Sequence, residues 1–400
     1  MTAPLTLALG VMAATGPLSL DAYLPALPTM ATEFGVSPQV IQLSLSACLL
    51  GLGVGQLFAG PLGDRFGRRI PMVIGAALYV LASLGCALAP DAVWLIAFRA
   101  IQGLAGAVGL VLSRAVVRDI TSGNTATRLY SQMAAVSGAA PVVAPVAGAL
   151  LIGAAGWRAV FVALALLGIG MMLLAQFVIR ETHPRNARTS AAVIPVLHSY
   201  GHLLRDRTFL GYMVVVLFTA AILFSYISSA PFVLQNVFGL TELGFALCFA
   251  AVGGGLVVVS LLNARLVRRH GARVTLPIAS GVQLLGIIAL GALIVVRMTQ
   301  GWSSIPLLVV CLVWAVTPCG AITPTCVSLA MARGGNRAGS ASALLGTSMF
   351  LVGGLVSPIS GGVAPAIAMV VLMLIACCAG LVGILVVTRR GADPESSTAD

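Results

Sequence analysis

Apolar runs long enough to cross a bilayer recur from one end of the chain to the other, separated by short polar breaks. They fall at residues 5–29, 40–62, 70–89, 92–115, 129–153, 157–179, 209–233, 242–264, 274–296, 304–330, 338–358 and 363–388. A helix needs about 20 mostly apolar residues to span the roughly 30 Å hydrocarbon core, so the pattern predicts twelve transmembrane helices. The long polar interval is 183–207, a linker that divides the chain into a six-span half at 1–182 and another at 208–390. Residues 391–400 form a polar segment with the composition of a disordered tail. The first run has no basic segment ahead of it and no clear cleavage site before Asp21, so it is read as a retained helix.

Composition agrees. The 400 residues are 59% hydrophobic and only 8% charged, too little charge to cover a water-soluble protein. All 22 basic residues are Arg. Their placement turns the net charge of +11 from a nucleic-acid signal into a topology signal. Nineteen lie in alternate connections: 65–69, 114–128, 180–207, 265–273, 333–337 and 389–390. The other connections hold only Arg158 and Arg297, and Arg99 lies within a span. The positive-inside rule then predicts both termini and the linker in the cytoplasm. The eight Cys all lie in apolar runs without zinc-ligand spacing and are read as small core residues. No nucleophile triad, phosphate loop or metal cluster is visible, so neither an enzyme nor a cofactor is expected.

Two charges break the apolar pattern inside spans. Asp21 sits in Gly16-Pro17-Leu18-Ser19-Leu20-Asp21-Ala22-Tyr23-Leu24-Pro25, well within the first run. A carboxylate there is costly unless it is protonated, paired or facing water, and such groups mark proton, ion or substrate sites. Arg99 lies roughly 10 Å into the fourth span at about 1.5 Å per residue, a depth similar to that of Asp21. The two are expected to face each other, or share water, in a central cavity. Weaker candidates for substrate contact are Asp21 itself, Tyr23, Gln42, Gln102, Arg114, Tyr226 and Gln235; each is equally suited to bonding another helix.

The most specific string is Gly60-Pro61-Leu62-Gly63-Asp64-Arg65-Phe66-Gly67-Arg68-Arg69. Its glycines permit a tight turn. Asp64 is placed to accept from the amides of a neighbouring helix N-terminus, and Arg68 or Arg69 to pair with Asp119. The second half repeats the pattern in Leu266-Val267-Arg268-Arg269-His270-Gly271-Ala272-Arg273, with Arg268 where Asp64 stands. This correspondence is the mark of an internal repeat of the transporter kind.

The 60–69 string resembles the signature loop of the major facilitator superfamily. The resemblance implies a conformational latch built from Gly60, Gly63, Asp64, Arg65, Gly67, Arg68 and Arg69 with Asp119. Leu95-x-x-x-Arg99-x-x-Gln102-Gly103 resembles a motif of the same superfamily associated with proton coupling. Gly138, Pro141, Pro145 and Gly148 resemble its antiporter motif, with Ala140 in place of a glycine and Ala147-Gly148 in place of a glycine pair. Leu20-Asp21-Ala22-Tyr23-Leu24-Pro25-Ala26-Leu27-Pro28 is similar to the signature of the Bcr/CflA drug-resistance branch, with Ala22 for the usual Met. So are 117–120, 229–233, 263–269 and 338–344. The resemblance implies an all-α membrane protein of the major facilitator fold, two pseudo-symmetric six-helix bundles, acting as a monomer. It implies proton-coupled export of small drugs such as bicyclomycin-like or amphenicol antibiotics. Export of an endogenous metabolite or a self-made antibiotic stays open at this point, and a sensor is disfavoured because no output domain is visible.

Overall fold

The computed structural model describes residues 3–121, 123–183, 200–302, 304–335, 338–361 and 364–390. The tail at 391–400 and most of the linker, 184–199, lie outside the described residues. The helices in the first half are α1 (Ala3–Asp21), α2 (Leu27–Glu33), α3 (Pro38–Phe66), α4 (Arg69–Ala87), α5 (Ala92–Ile120), α6 (Gly123–Ala155) and α7 (Trp157–Phe177). Those in the second are α8 (Arg207–Phe232), α9 (Glu242–His270), α10 (Ala272–Gln300), α11 (Ile305–Val316), α12 (Cys319–Gly334), α13 (Ala338–Ser360) and α14 (Pro365–Arg390). Together they make twelve apolar spans among the described residues, six in each half. Each coincides with one of the runs read from the sequence.

Large apolar side chains such as Ile74, Leu81, Leu166 and Leu285 stand more than 60% exposed. Water would not tolerate so much scattered apolar surface; lipid does. With hydrocarbon outside, helices associate through close packing of small residues. In α3 and α5, a Cβ at Gly51 or at Gly103 would strike the backbone of the facing helix.

Among the described residues two spans are broken, and proline is the cause in each. After Asp21 the chain makes a turn and a short 3-10 stretch, Leu24–Ala26, before α2 begins. Pro25 and Pro28 have no N–H to return to the carbonyls four residues earlier, so the ladder cannot continue through them. The tenth span divides at Thr317 and Pro318 between α11 and α12. Asp91 caps α5 by accepting from the amides of Val93 (2.9 Å) and Trp94 (3.0 Å). Asp206 does the same for α8 at Thr208 and Phe209.

The corresponding inner loops of the two halves turn on a glycine in the same backbone region. Gly67 joins α3 to α4 at φ 87°, ψ 173°, and Gly271 joins α9 to α10 at φ 77°, ψ 160°. Only glycine adopts this region at little cost. Packing gathers the chain into two compact units. One holds the first half with 224–254 and 346–369; the other holds 194–223, 255–345 and the remainder. In the second unit, Leu203, Phe209, Met213, Ala330, Ala341 and Leu345 form a buried cluster.

Candidate functional site

The break in the first span puts Asp21 at the C-terminal end of α1, where the helix dipole presents its negative pole. The side chain is buried, with 4% of the residue exposed. It has no hydrogen-bond or ion-pair partner among the described residues. Tyr226 lies within electrostatic reach of it. The Tyr226 hydroxyl is likewise buried and unpartnered, and its ring stacks on Phe249 at 5.3 Å.

Arg99 is fully buried, and it makes no direct hydrogen bond or ion pair with Asp21. Its Nη1 donates to the Ser19 carbonyl (3.0 Å) and to Gln102 Oε1 (2.5 Å). Its guanidinium lies 4.2 Å from the centroid of the Tyr23 ring, a cation–π contact. Similar depth along two spans does not fix which way the side chains point. Here the loose carbonyl at the end of α1 and the Tyr23 face take the cation.

Sequence reasoning missed the rest of this network. Gln102 Nε2 donates to Ser83 Oγ (2.7 Å), and Ser83 Oγ donates to the Tyr79 carbonyl (2.7 Å). The Tyr79 hydroxyl meets Ser19 Oγ at 2.5 Å, closing a ring back to α1. The available signal was spacing: Tyr79 and Ser83, and Arg99 and Gln102, are each one helical turn apart.

The other candidates separate. Tyr23 shares a hydrogen bond with Ser44 Oγ (3.2 Å). Gln42 Nε2 donates to the Ser228 carbonyl (2.8 Å), and Gln235 Nε2 donates to the Pro25 carbonyl (2.9 Å). Gln42, Gln102 and Gln235 therefore bond other helices in this structure. Arg114 is exposed, and its carbonyl accepts from the Tyr130 hydroxyl. A cleft of about 620 Å³ opens between the first turns of α1 and α6, lined by Thr6, Leu7, Thr125, Arg128, Leu129 and Gln132 among others; none of the sequence candidates reaches it.

Of the antiporter-like residues, Gly148 packs against the Ala22 carbonyl at the break, so closely that a Cβ would collide with it. Pro141 lies against Gly253 of α9. Gly138 and Pro145 lie on the same uninterrupted helix, α6.

In the 60–69 loop, Arg68 is the paired arginine. Its Nε donates to Asp119 (2.8 Å) and its Nη1 to Asp64 (2.6 Å). Burial alone would favour the neutral guanidine, but the two carboxylates outweigh it and raise the Arg68 pKa. Asp64 does not take the helix amides, which go to a residue the sequence reading passed over. Glu181 accepts from the Arg68 and Arg69 amides at the start of α4 (2.8 and 3.3 Å). Asp64 is occupied one turn before that helix by Arg68, which leaves the amides to Glu181. Thr182 donates to Asp119 (3.1 Å), and Arg69 donates to the Gln176 carbonyl. Gly60 and Gly63 lie in the last turns of α3, and Arg65 stacks over Phe66.

The chain as a whole is similar to known proteins. The family model of the Major Facilitator Superfamily matches residues 8–358. The uncharacterized MFS-type transporter YdgK of Bacillus subtilis (strain 168) is 37% identical over 88% of this chain and 87% of its own. The bicyclomycin resistance protein homolog of Haemophilus influenzae is 29% identical over 87% and 86%. The multidrug resistance protein MdtL of Escherichia coli is 30% identical over 61% of each. Among solved structures, a bacterial homolog of the human lysosomal transporter Spinster superposes with a TM-score of 0.77 at 17% identity, over 98% of each chain. The xylose transporter XylE of E. coli superposes with a TM-score of 0.74 at 15% identity over 98% of each. The fold is therefore the major facilitator fold, and the chain belongs to the Major Facilitator Superfamily as a multi-pass transporter of the cell (inner) membrane.

Proposed function

We propose that this transporter exports small drugs, of the bicyclomycin or amphenicol kind, in exchange for protons. Both termini are placed in the cytoplasm in this reading, which the nineteen-to-two split of Arg between alternate connections supports. The observation that carries the reading is Asp21: a carboxyl buried without a counter-ion at the end of a broken membrane helix. Half-helix ends in transporters hold ions and substrate charges near the midplane. At a helix C-terminus the favoured occupant is a cation, and the proton is the smallest. Two named relatives, a bicyclomycin resistance protein homolog and a multidrug resistance protein, support the drug class and the export direction.

In the proposed cycle Asp21 takes a proton from outside as drug leaves, and gives it up inside before drug binds. The cleft between α1 and α6 is the cytoplasmic approach. Arg99 acts through the carbonyl of Ser19, holding the end of α1 that carries Asp21. The 60–69 loop latches the inner face, and the chain works as a monomer. Proton entry supplies about 2.3 kcal/mol per 100 mV and about 1.4 kcal/mol per pH unit, enough to sustain a drug concentration gradient of roughly tens- to hundreds-fold across the membrane. One buried carboxylate implies one proton per cycle.

The test is drug-triggered proton flux in proteoliposomes, comparing the parent with Asp21→Asn across a small panel of these antibiotics. Flux that needs both drug and Asp21 is expected. Drug transport with undiminished proton flux in Asp21→Asn would remove Asp21 from the coupling step.

A further inference from the structure

The two inner loops share a backbone and differ in electrostatics. Around Gly67 the cation is answered from within the chain: Asp64 and Asp119 hold Arg68, and Glu181 takes the amides at the start of α4. Around Gly271 the corresponding positions are reversed in sign. Arg268 stands where Asp64 does in the repeat. Arg333, next to last in α12, stands where Asp119, next to last in α5, does.

Asn263 donates to Thr325 and so ties α9 to α12 (2.8 Å). Gly271 and Arg333 each lie eight residues beyond that bond (271 − 263 and 333 − 325), on spans that run in the same direction. The two helix ends therefore reach the same level.

Arg265, Arg268, Arg269 and Arg333 are exposed and form no ion pair with any described residue. Arg268 Nε donates only to a carbonyl of its own helix, that of Ala264. The N-cap of α10 is Gly271, which has no side chain to cap the helix. The second unit has one described carboxylate, Asp206, and the amides of α8 occupy it. Next to the arginines on their membrane side, Leu261, Leu262 and Leu266 of α9 and Val274 and Ile278 of α10 are all exposed.

We propose that this loop binds the phosphate of an anionic phospholipid, which supplies the negative charge that the first loop takes from its own carboxylates. Guanidinium groups fork onto phosphate oxygens. A cation at the headgroup level gains from anionic lipid. The exposed Leu, Val and Ile side chains give the acyl chains a surface, which a free anion would not use. The second loop is thus a latch completed by the membrane, and transport depends on anionic lipid through it.

The test uses the full chain in nanodiscs of phosphatidylcholine with or without phosphatidylglycerol, reading phosphatidylglycerol binding by native mass spectrometry after gentle release. Replacing Arg265, Arg268 and Arg269 with Gln weakens binding roughly a hundredfold, from about 1 kcal/mol per cation at the headgroups. The same three positions as Lys keep most of the binding, which separates lost charge from a damaged fold. Millimolar inorganic phosphate fails to displace the lipid; displacement would make this a free-anion site and overturn the proposal. Equal binding by the Gln variant and the parent would overturn it too. So would binding seen only when residues 391–400 are removed, because Asp393 and Glu395 of the tail would then be the loop's own counter-ions.

Discussion

Among the described residues no carboxylate pairs with Arg99, yet it is fully buried. Two oxygens and an aromatic face share the burden of its charge. Lys at this position would keep the charge but lose the planar group that donates to Ser19 and Gln102 while lying on Tyr23. Arg99→Lys is expected to lower stability by about 2 kcal/mol, the scale of a hydrogen bond to a charged group, read by thermal unfolding in detergent. Tyr79→Phe removes only the bond to Ser19 and should cost about 1 kcal/mol. A smaller loss from Arg99→Lys than from Tyr79→Phe would mean that the Tyr79–Ser19 contact, and not the cation, holds the end of α1. Arg68 is different. Its raised pKa means that its contribution is complete below the ordinary guanidinium range and is lost only as pH rises beyond it. Within the range in which the protein can be handled, the pH dependence of transport does not arise from Arg68.

At the scale of elements, the controlling feature is the break after Asp21. Pro25 and Pro28 announce it in the sequence, but periodicity alone reads 5–29 as one helix. The seat of the break is Gly148 of α6, pressed against the Ala22 carbonyl. Gly148→Leu is expected to push the two apart and to abolish drug transport while leaving the protein in the membrane, as transport and surface-expression assays would show. Retained transport would mean that α6 yields at this point without disturbing Asp21. The spans, their number and the repeated loop were legible because each depends on local composition or spacing. Glu181 and the Tyr79–Ser19 bond were not, because their meaning comes from a partner on another helix. That Arg99 bonds Ser19 and Gln102 and makes no direct contact with Asp21 was hidden for the same reason: depth is legible, but rotation about the helix axis is set by packing.

Across the whole molecule, the first unit takes in 224–254 and 346–369 from the second half. Within it, Gln42 bonds Ser228, Gln235 bonds Pro25 and Thr29 bonds Glu242. On the proposed orientation these bonds fasten the outer ends of the spans. Replacing Gln42 and Gln235 with Ala removes two bonds worth about 1 kcal/mol each. The population open to the outside should rise on the order of thirtyfold, read by distance measurements between spin labels on the outer loops. An unchanged distance distribution would mean that the bonds are remade with water at no cost.

The broken first span also bears on how the protein is made. It is the least apolar of the twelve, and it emerges from the ribosome long before α5 delivers Arg99. Until then the Ser19 carbonyl at the end of α1 has no donor from that side chain. Nascent chains stopped after α3 should be extracted from membranes by alkali more readily than chains stopped after α5. Firm integration of the membrane's first helix is thus deferred to the fourth, and biogenesis is ordered by a single arginine.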